Sequence, residues 1–418
     1  VAPQKIKRSA AELDLNLVYL ESSFVRDCGG KPDGCAPTTV HRAYTGTDGS
    51  KHVYDVKADR AAATDDQKPG HPDVNALGDF GTPSHFDGAT ATTNTGGIQP
   101  IPHIMLSVNG DTFGVDGVAV GAYFFAPNNG KYTFGEDTPT RYNLIDRDLL
   151  ELYYGLAFAY RFGDVLGVGA GLEFVTAGLN QEIALTADTY GNEDQNSDIV
   201  VRIKGEQDFI PSGNFGVWTN PGKLLGIGDL QIAGSMQLGR TVKATGPLSI
   251  EKIGANNQPL IDNGTVTFNA DKAVGTAEFR LAPFYRVGAK YAGGDHDLAW
   301  DVEGDFVYEQ WSVYDHVFLQ TKGAKVSFGA APPKELDPVV QPKDWTDSWS
   351  ARLGGSAAFL DGKAGVSLGG YYESSAIPNA TYDIELADGD KIGAGVGLFG
   401  KLFGARVGHR RRAAGGCV

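Results

Sequence analysis

The sequence predicts an all-β protein, an antiparallel transmembrane β-barrel in which residues 1–418 form one domain, and three observations carry that expectation. Apolar residues recur with period two over a dozen segments. The intervals between those segments are alternately long and short, and no stretch reaches the roughly 18 consecutive apolar residues that a membrane-spanning helix needs. Composition agrees, because 57 glycines and 10% aromatics are scattered along the chain and not gathered into blocks. A net charge of −15 lacks the basic face that a nucleic-acid partner requires. The chain opens at Val1 without the charged and apolar regions of a signal peptide, as a mature or partial chain does.

The clearest alternation is LLELYYGLAFAYRF at 149–162. Leu150, Leu152, Tyr154, Leu156, Phe158, Tyr160 and Phe162 share one parity, and Glu151, Tyr153, Gly155, Ala157, Ala159 and Arg161 share the other. Successive side chains of a strand point to opposite faces, so this is a strand with one greasy side. Along 229–242, Leu230, Ile232, Met236, Leu238 and Val242 face away from Gln231, Ser235, Gln237 and Thr241. Along 277–291, Ala277, Phe279, Leu281, Tyr285, Val287, Ala289 and Tyr291 oppose Glu278, Arg280, Arg286 and Lys290. Along 298–309, Leu298, Trp300, Val302, Phe306 and Tyr308 oppose Asp301, Glu303, Asp305 and Glu309. Weaker patterns cover 11–25, 100–109, 114–126, 165–181, 210–220, 346–360, 363–373 and 391–399, which makes 12 strands. Many have the ~9 to 11 residues that cross a bilayer at a tilt.

The connections separate a barrel from a sandwich. Short ones at 109–114, Gly163-Asp164, 221–228, 293–296 and 361–363 alternate with long ones at 26–99, 127–147, 182–209, 243–275, 314–345 and 374–390. Sorting loops by parity is expected when every second connection lies on the same side of a membrane. The long loops are then external, and so is the segment holding Cys28 and Cys35, which either form a disulfide or stand as two free thiols. An unpaired charge facing hydrocarbon costs about 2 to 4 kcal/mol at the midplane, so the charged parity faces the lumen. With Tyr291 opposite Leu298 and Arg286 opposite Glu303, the charges of 277–291 and 298–309 are expected to form a luminal ion-pair ladder.

No constellation for catalysis or metal binding emerges: there is no HExxH, no G-x-S-x-G and no cysteine pair with further zinc ligands nearby, so neither an enzyme nor a cofactor is expected. Binding an amphiphile requires an apolar groove with cations near its mouth. Aromatics such as Phe125, Phe134 and Trp345 are candidates for the groove, and Arg161, Arg280, Arg286, Lys290 and Arg352 for the cations. For Trp345 and Trp349 an interfacial aromatic girdle is the simpler expectation, as is luminal pairing for Arg352. Pro211, Gly213 and Gly216 mark the place where strand pairing is most readily interrupted and a lateral opening is expected, since Pro removes a donor and Gly weakens pairing.

Three stretches carry a family resemblance. QPKDWTDSWSARLG at 341–354 and GGYYESSAIPNATYDIELADGDKIGAGVG at 369–397 supply Trp345, Asp347, Arg352, Gly354, Gly370, Tyr371, Ser375, Pro378, Asp388, Asp390 and Lys391. The run 126–172, with its Ala-Tyr-Arg-Phe hairpin, and PSGNFGVWTNPGK at 211–223 add to them, so the likeness spans about two thirds of the chain. Taken in this order and spacing, they resemble the FadL family of bacterial outer-membrane proteins. The resemblance implies a monomeric barrel of about 14 strands with an N-terminal hatch. It implies passive uptake of long-chain fatty acids, aromatic hydrocarbons or other hydrophobic small molecules through a lateral opening, in contact with outer-membrane lipids or lipopolysaccharide. The chain departs from the pattern in lacking the hatch element and the last two strands. The competing expectation is a structural or adhesive barrel whose loops bind surface partners.

Overall fold

The computed structural model describes residues 10–18, 21–25, 41–45, 51–55, 90–94, 99–126, 130–138, 140–142, 144–186, 195–196, 198–262, 266–269, 272–328, 332–335, 338–378, 388–402 and 405–414. Cys28, Cys35 and residues 1–9 lie outside them. The strands that build the wall are β1 (Ala10–Val18), β2 (Gln99–Asn109), β3 (Val118–Phe125), β4 (Asp146–Phe162), β5 (Leu166–Thr186) and β6 (Asp198–Thr219). They continue as β7 (Asp229–Gln237), β8 (Arg240–Ile253), β9 (Val274–Leu281), β10 (Phe284–Gly294), β11 (Leu298–Glu309) and β12 (His316–Lys322). The last are β13 (Ser348–Phe359), β14 (Ala364–Glu373), β15 (Lys391–Leu402) and β16 (Ala405–Ala414).

Every pairing among them is antiparallel, and when β7 with β8, β9 with β10 and β11 with β12 are each taken as the two parts of one crossing, neighbouring crossings in sequence are neighbours in the sheet, as in an up-and-down barrel. All twelve expected strands are present, and among the described residues β16 pairs with β15 as a thirteenth crossing, one more than the sequence pattern predicts. The strands toward the long loops run further than expected: β5 and β6 extend to Thr186 and Asp198, through a stretch expected to be loop. The short connections hold well-formed turns. At 220–226 the Asn220 side chain accepts from the Lys223 amide, and Gly226 takes the left-handed conformation that closes helix α1 (Pro221–Leu225).

One face of the sheet is apolar and accessible, the opposite of a soluble fold. Leu156, Phe158, Leu172, Phe215, Val287, Val302, Leu353 and Leu368 all stand on it, with Leu156 67% exposed. Such a surface is stable only against lipid. Trp349 lies on this face against Phe306 and Tyr372, in the place expected of a girdle residue.

Three neighbouring strands exchange their faces at one level. Along β6, Gln207 and Ile210 both point inward, because the bulge at Asp208-Phe209 inserts one residue against β5. The next strand steps at Leu238-Gly239 between β7 and β8, and the one after it at Ala282-Pro283 between β9 and β10. Three-residue spacing between inward side chains inverts the parity. Beyond this row, toward the long loops, Val242, Ala244, Ala277 and Phe279 pack inward, while Lys243 and Glu278 pair on the outside at 3.1 Å. The expected single apolar parity through 229–242 and 277–291 is therefore corrected: Val242 and Phe279 face in, and Glu278 and Arg280 face out. Pro283 supplies no donor and Gly239 little packing, so the ladder breaks where the sequence weakens it. Further from the row toward the long loops, Arg202 on the outer face bonds Glu182 and lies 3.8 Å from Asp146 and 3.6 Å from Glu251, a polar surface unsuited to hydrocarbon.

These faces make a direct prediction. Val302 on β11 looks to lipid and its neighbour Glu303 to the lumen. Val302→Arg is expected to lower folding stability in lipid vesicles by about 2 to 4 kcal/mol, and Glu303→Arg by much less, as read by urea titration.

Candidate functional site

The row of breaks leaves a gap in the wall. Pairing of β6 with β8 stops at Glu206 opposite Thr245, and pairing with β7 resumes at Asn214 opposite Gln237. Across 207–213 the ladder is replaced by isolated bonds: the Leu238 amide donates to the Gly213 carbonyl at 2.9 Å, and the Ser212 hydroxyl to the Leu238 carbonyl at 3.0 Å. On its other edge β6 stays paired with β5 through this stretch. Phe209 sits at the bulge with φ of 53°, a left-handed conformation that costs a bulky residue about 1 to 3 kcal/mol. Its ring is held edge-on by Tyr154 and Phe174 at 6.0 and 6.3 Å.

Behind the gap lies a polar cluster. Glu173, 2% exposed, accepts from Tyr123 Oη at 3.0 Å, Gln237 Nε2 at 2.9 Å and Arg240 Nη1 at 3.2 Å. Arg240 reaches Ser212 Oγ at 3.3 Å and lies over the Tyr153 ring at 4.6 Å. Tyr153 donates to Glu151 at 2.9 Å, and Asn214 to Tyr123 at 2.8 Å. Buried charges are tolerated only when paired and hydrogen-bonded, and this pair is both.

Apolar surfaces flank the cluster on both sides of the wall. Inside, toward the long loops, Tyr153, Val175, Ala177, Ile210, Val242 and Ala244 pack together with Phe125, Phe279 and Leu281, and Phe125 stacks on Tyr153 at 4.6 Å. A second inner cluster joins Tyr314, Val317, Trp311 and Trp345, whose ring is 4.5 Å from that of Tyr314. Outside, a groove of about 880 Å³ is lined by Leu106, Val120, Leu156, Leu172, Phe215 and Leu238 and reaches Ser212 and Gly213 at the gap.

The expected site residues divide accordingly. Phe125 belongs to the inner cluster and Pro211 and Gly213 to the gap, whereas Gly216 is paired on both sides, with Gly169 and Ser235. Trp345 packs inside and not in a girdle, and Phe134 stands apart at the edge of β4, its amide bonded to the Ile145 carbonyl. Arg161 lies near the short turn, 4.0 Å from Asp164, and Arg280 faces outward opposite Thr241. The ladder forms with a different register: Tyr291 opposes Val302, Lys290 opposes Glu303 and Arg286 opposes Val307, because the turn is centred two residues later than expected, which moves each partner by four. Lys290 lies 3.3 Å from Asp301 and 3.7 Å from Glu303, Arg286 lies over Phe284, and Arg352 is 3.8 Å from Glu373. Glu173 and Arg240, at the centre, were not singled out by sequence. The available signal was a lone carboxylate in a strand of small and apolar residues, and an arginine directly after Leu238-Gly239.

The rim toward the long loops is clasped by three aspartates. Asp347 accepts from Tyr308 Oη and, at 2.9 Å, from the Ser312 amide. Asp390 accepts from the Ser375 amide at 2.8 Å and Tyr372 Oη at 2.9 Å, and Asp388 accepts from the Ala376 amide at 3.0 Å. The Ser375 amide first, and then the Tyr372 hydroxyl, hold the Asp390 carboxyl below the ordinary carboxylate range. A depressed folded value means that the clasp is complete above the ordinary value of 3.8 and is lost as pH falls through the folded one. Amide exchange at Ser375 is expected to stay protected down to below that value in the native chain, and to lose protection at every pH in Asp390→Ala.

Residues 66–399 match the family model described as outer membrane protein transport protein, OMPP1/FadL/TodX. A crystal structure of a Pseudomonas aeruginosa FadL homologue superposes with a TM-score of 0.66 at 16% identity, covering 98% of this chain and 83% of that one. A TodX deltaS2S3 mutant monoaromatic hydrocarbon channel gives 0.51 at 13% identity, over 79% of this chain and 84% of that one. These likenesses show a common fold. No curated protein sequence matches the chain.

Proposed function

The chain belongs to the OMPP1/FadL/TodX family of outer membrane transport proteins, and on that premise we propose that it admits hydrophobic compounds, long-chain fatty acids or aromatic hydrocarbons among them, by diffusion through a lateral opening at residues 207–213. The observation that carries this reading is the break in strand pairing with apolar residues on both sides of the wall, the polar cluster of Glu173 and Arg240 standing behind it. The inner cluster around Phe125, Val242 and Phe279 meets the unpaired stretch of β6, and the outer groove begins at Gly213 and Leu238 on its far side.

An apolar molecule arriving from the long-loop end is held by burial, about 25 cal/mol per Å² of surface removed from water. It then needs no aqueous path. Leaving sideways delivers it to the hydrocarbon of the bilayer, where it is as stable as in the groove, so release costs little and no energy source is required. The wall tolerates the gap because backbone groups left without ladder partners line a cavity and are met by Ser212 and by the Leu238 amide. Side chains of the lumen nearer the short turns, such as Lys290 and Glu303, are charged and offer an apolar solute no comparable route.

Narrowing the opening tests the reading. A β-carbon at Gly213 would lie 3.2 Å from the Gly171 carbonyl oxygen and 3.6 Å from Leu238 Cδ1, so a larger side chain is driven into the groove mouth. In a bacterial host without such a channel, expression of the native chain is expected to raise uptake of radiolabelled toluene and oleate methyl ester above the empty host. Gly213→Leu, folded and inserted to the same level, is expected to remove most of that gain, about fivefold or more. Undiminished uptake in this variant would count against passage at 207–213.

A further inference from the structure

At the inner edge of the gap the Glu173 carboxylate and the Arg240 guanidinium lie 3.2 Å apart and cancel each other. We infer that the Glu173–Arg240 pair makes this opening selective for uncharged hydrophobic molecules over carboxylates, with Glu173 as the specificity-determining residue. This inference rests on the transport reading above and ranks its substrates, with neutral hydrocarbons and esters passing more readily than ionised fatty acids.

The guanidinium is the group in the gap that would attract a carboxylate, and it is already committed. Its Nη1 is 3.2 Å from Glu173 and 3.3 Å from Ser212 Oγ, and its face is covered by Tyr153. Both side chains of the pair are almost wholly buried, 3% and 2% exposed. Glu173 is equally committed, through Tyr123 on one oxygen and Gln237 with Arg240 on the other. A carboxylate entering the gap meets an occupied cation and a fixed anion, and Glu151 adds a second anion at the Tyr153 hydroxyl. It must shed its water for a site that offers no charge in return, which is among the most costly transfers in protein chemistry. An apolar ring or chain loses no such hydration and gains contact with Tyr153, Phe125, Ile210 and Val242.

Arg240 Nε is buried and has no hydrogen-bond partner among the described residues, so with Nη1 held by Glu173 and Ser212 the guanidinium presents no open two-pronged edge of the kind that pairs with a carboxylate.

The test compares two molecules that differ only in charge, oleate and its methyl ester, with toluene as the control for transport itself. Channel-dependent uptake is measured at pH 7 in cells expressing the full chain, and heat-modifiable migration verifies folding. The native protein is expected to favour the ester over oleate by about tenfold, and Glu173→Gln, which leaves Arg240 without its counter-ion, to raise the oleate-to-ester ratio by about fivefold or more. The double variant Glu173→Gln/Arg240→Met, neutral throughout, is expected to return that ratio toward the native value. The inference is overturned by equal native uptake of oleate and ester, or by a folded Glu173→Gln with an unchanged ratio. Should Glu173→Gln not fold, the native ratio and the double variant decide. Absence of toluene and ester uptake in the native protein would overturn the transport reading, and this inference with it, whereas toluene uptake without charge discrimination overturns this inference alone.

Discussion

A backbone N–H or C=O group in hydrocarbon has no water to bond, so a chain that crosses the bilayer as strands must satisfy each such group from the next strand. The whole architecture answers to that requirement. Antiparallel neighbours in sequence order supply the partners with the shortest connections, and the outer faces carry Leu, Val and Phe because those faces meet lipid. Where pairing fails, between Glu206 and Asn214, it does so beside a groove and against side chains that take over some of the lost bonds. A defect that lipid would forbid in a plain wall becomes tolerable at a passage.

Charge distribution follows the same logic. Lys290 with Asp301 and Glu303, and Arg352 with Glu373, stand on the inner face of the spanning region. Beyond the row of breaks the faces exchange, so that polar residues lie outside and apolar ones inside. A barrel protruding from the bilayer would gain nothing from a greasy exterior there, and its apolar interior is where a hydrophobic solute first finds cover. The inversion requires only one extra residue in each of three adjacent strands.

Much of this was legible in the sequence, for a physical reason. Period-two alternation is local, so the twelve strands and their lipid and luminal faces in 149–162 and 298–309 follow from neighbouring residues alone. Register is not local: Arg286 was expected opposite Glu303 and stands opposite Val307, since the turn at Gly294 moves every pair together. The change of face at Leu238-Gly239 and Ala282-Pro283 was visible only as Gly and Pro, and the three-residue spacing it creates sends Arg280 and Glu278 outward. Pro211 and Gly213 pointed to the gap because weak pairing has a compositional signature. Glu173 and Arg240 did not, because what matters about them is a contact between strands 67 residues apart in sequence.

The central claim is that alternate side chains of the wall meet lipid and lumen. It is tested most directly by placing a nitroxide label at each position from 298 to 309 in turn, in bilayers, and measuring its collision rates with oxygen and with a water-soluble nickel chelate. The account predicts oxygen contact highest at 300, 302, 304 and 306 and nickel contact highest at 301, 303 and 305, out of phase with one another. Equal nickel access at both parities, or in-phase profiles, would contradict it.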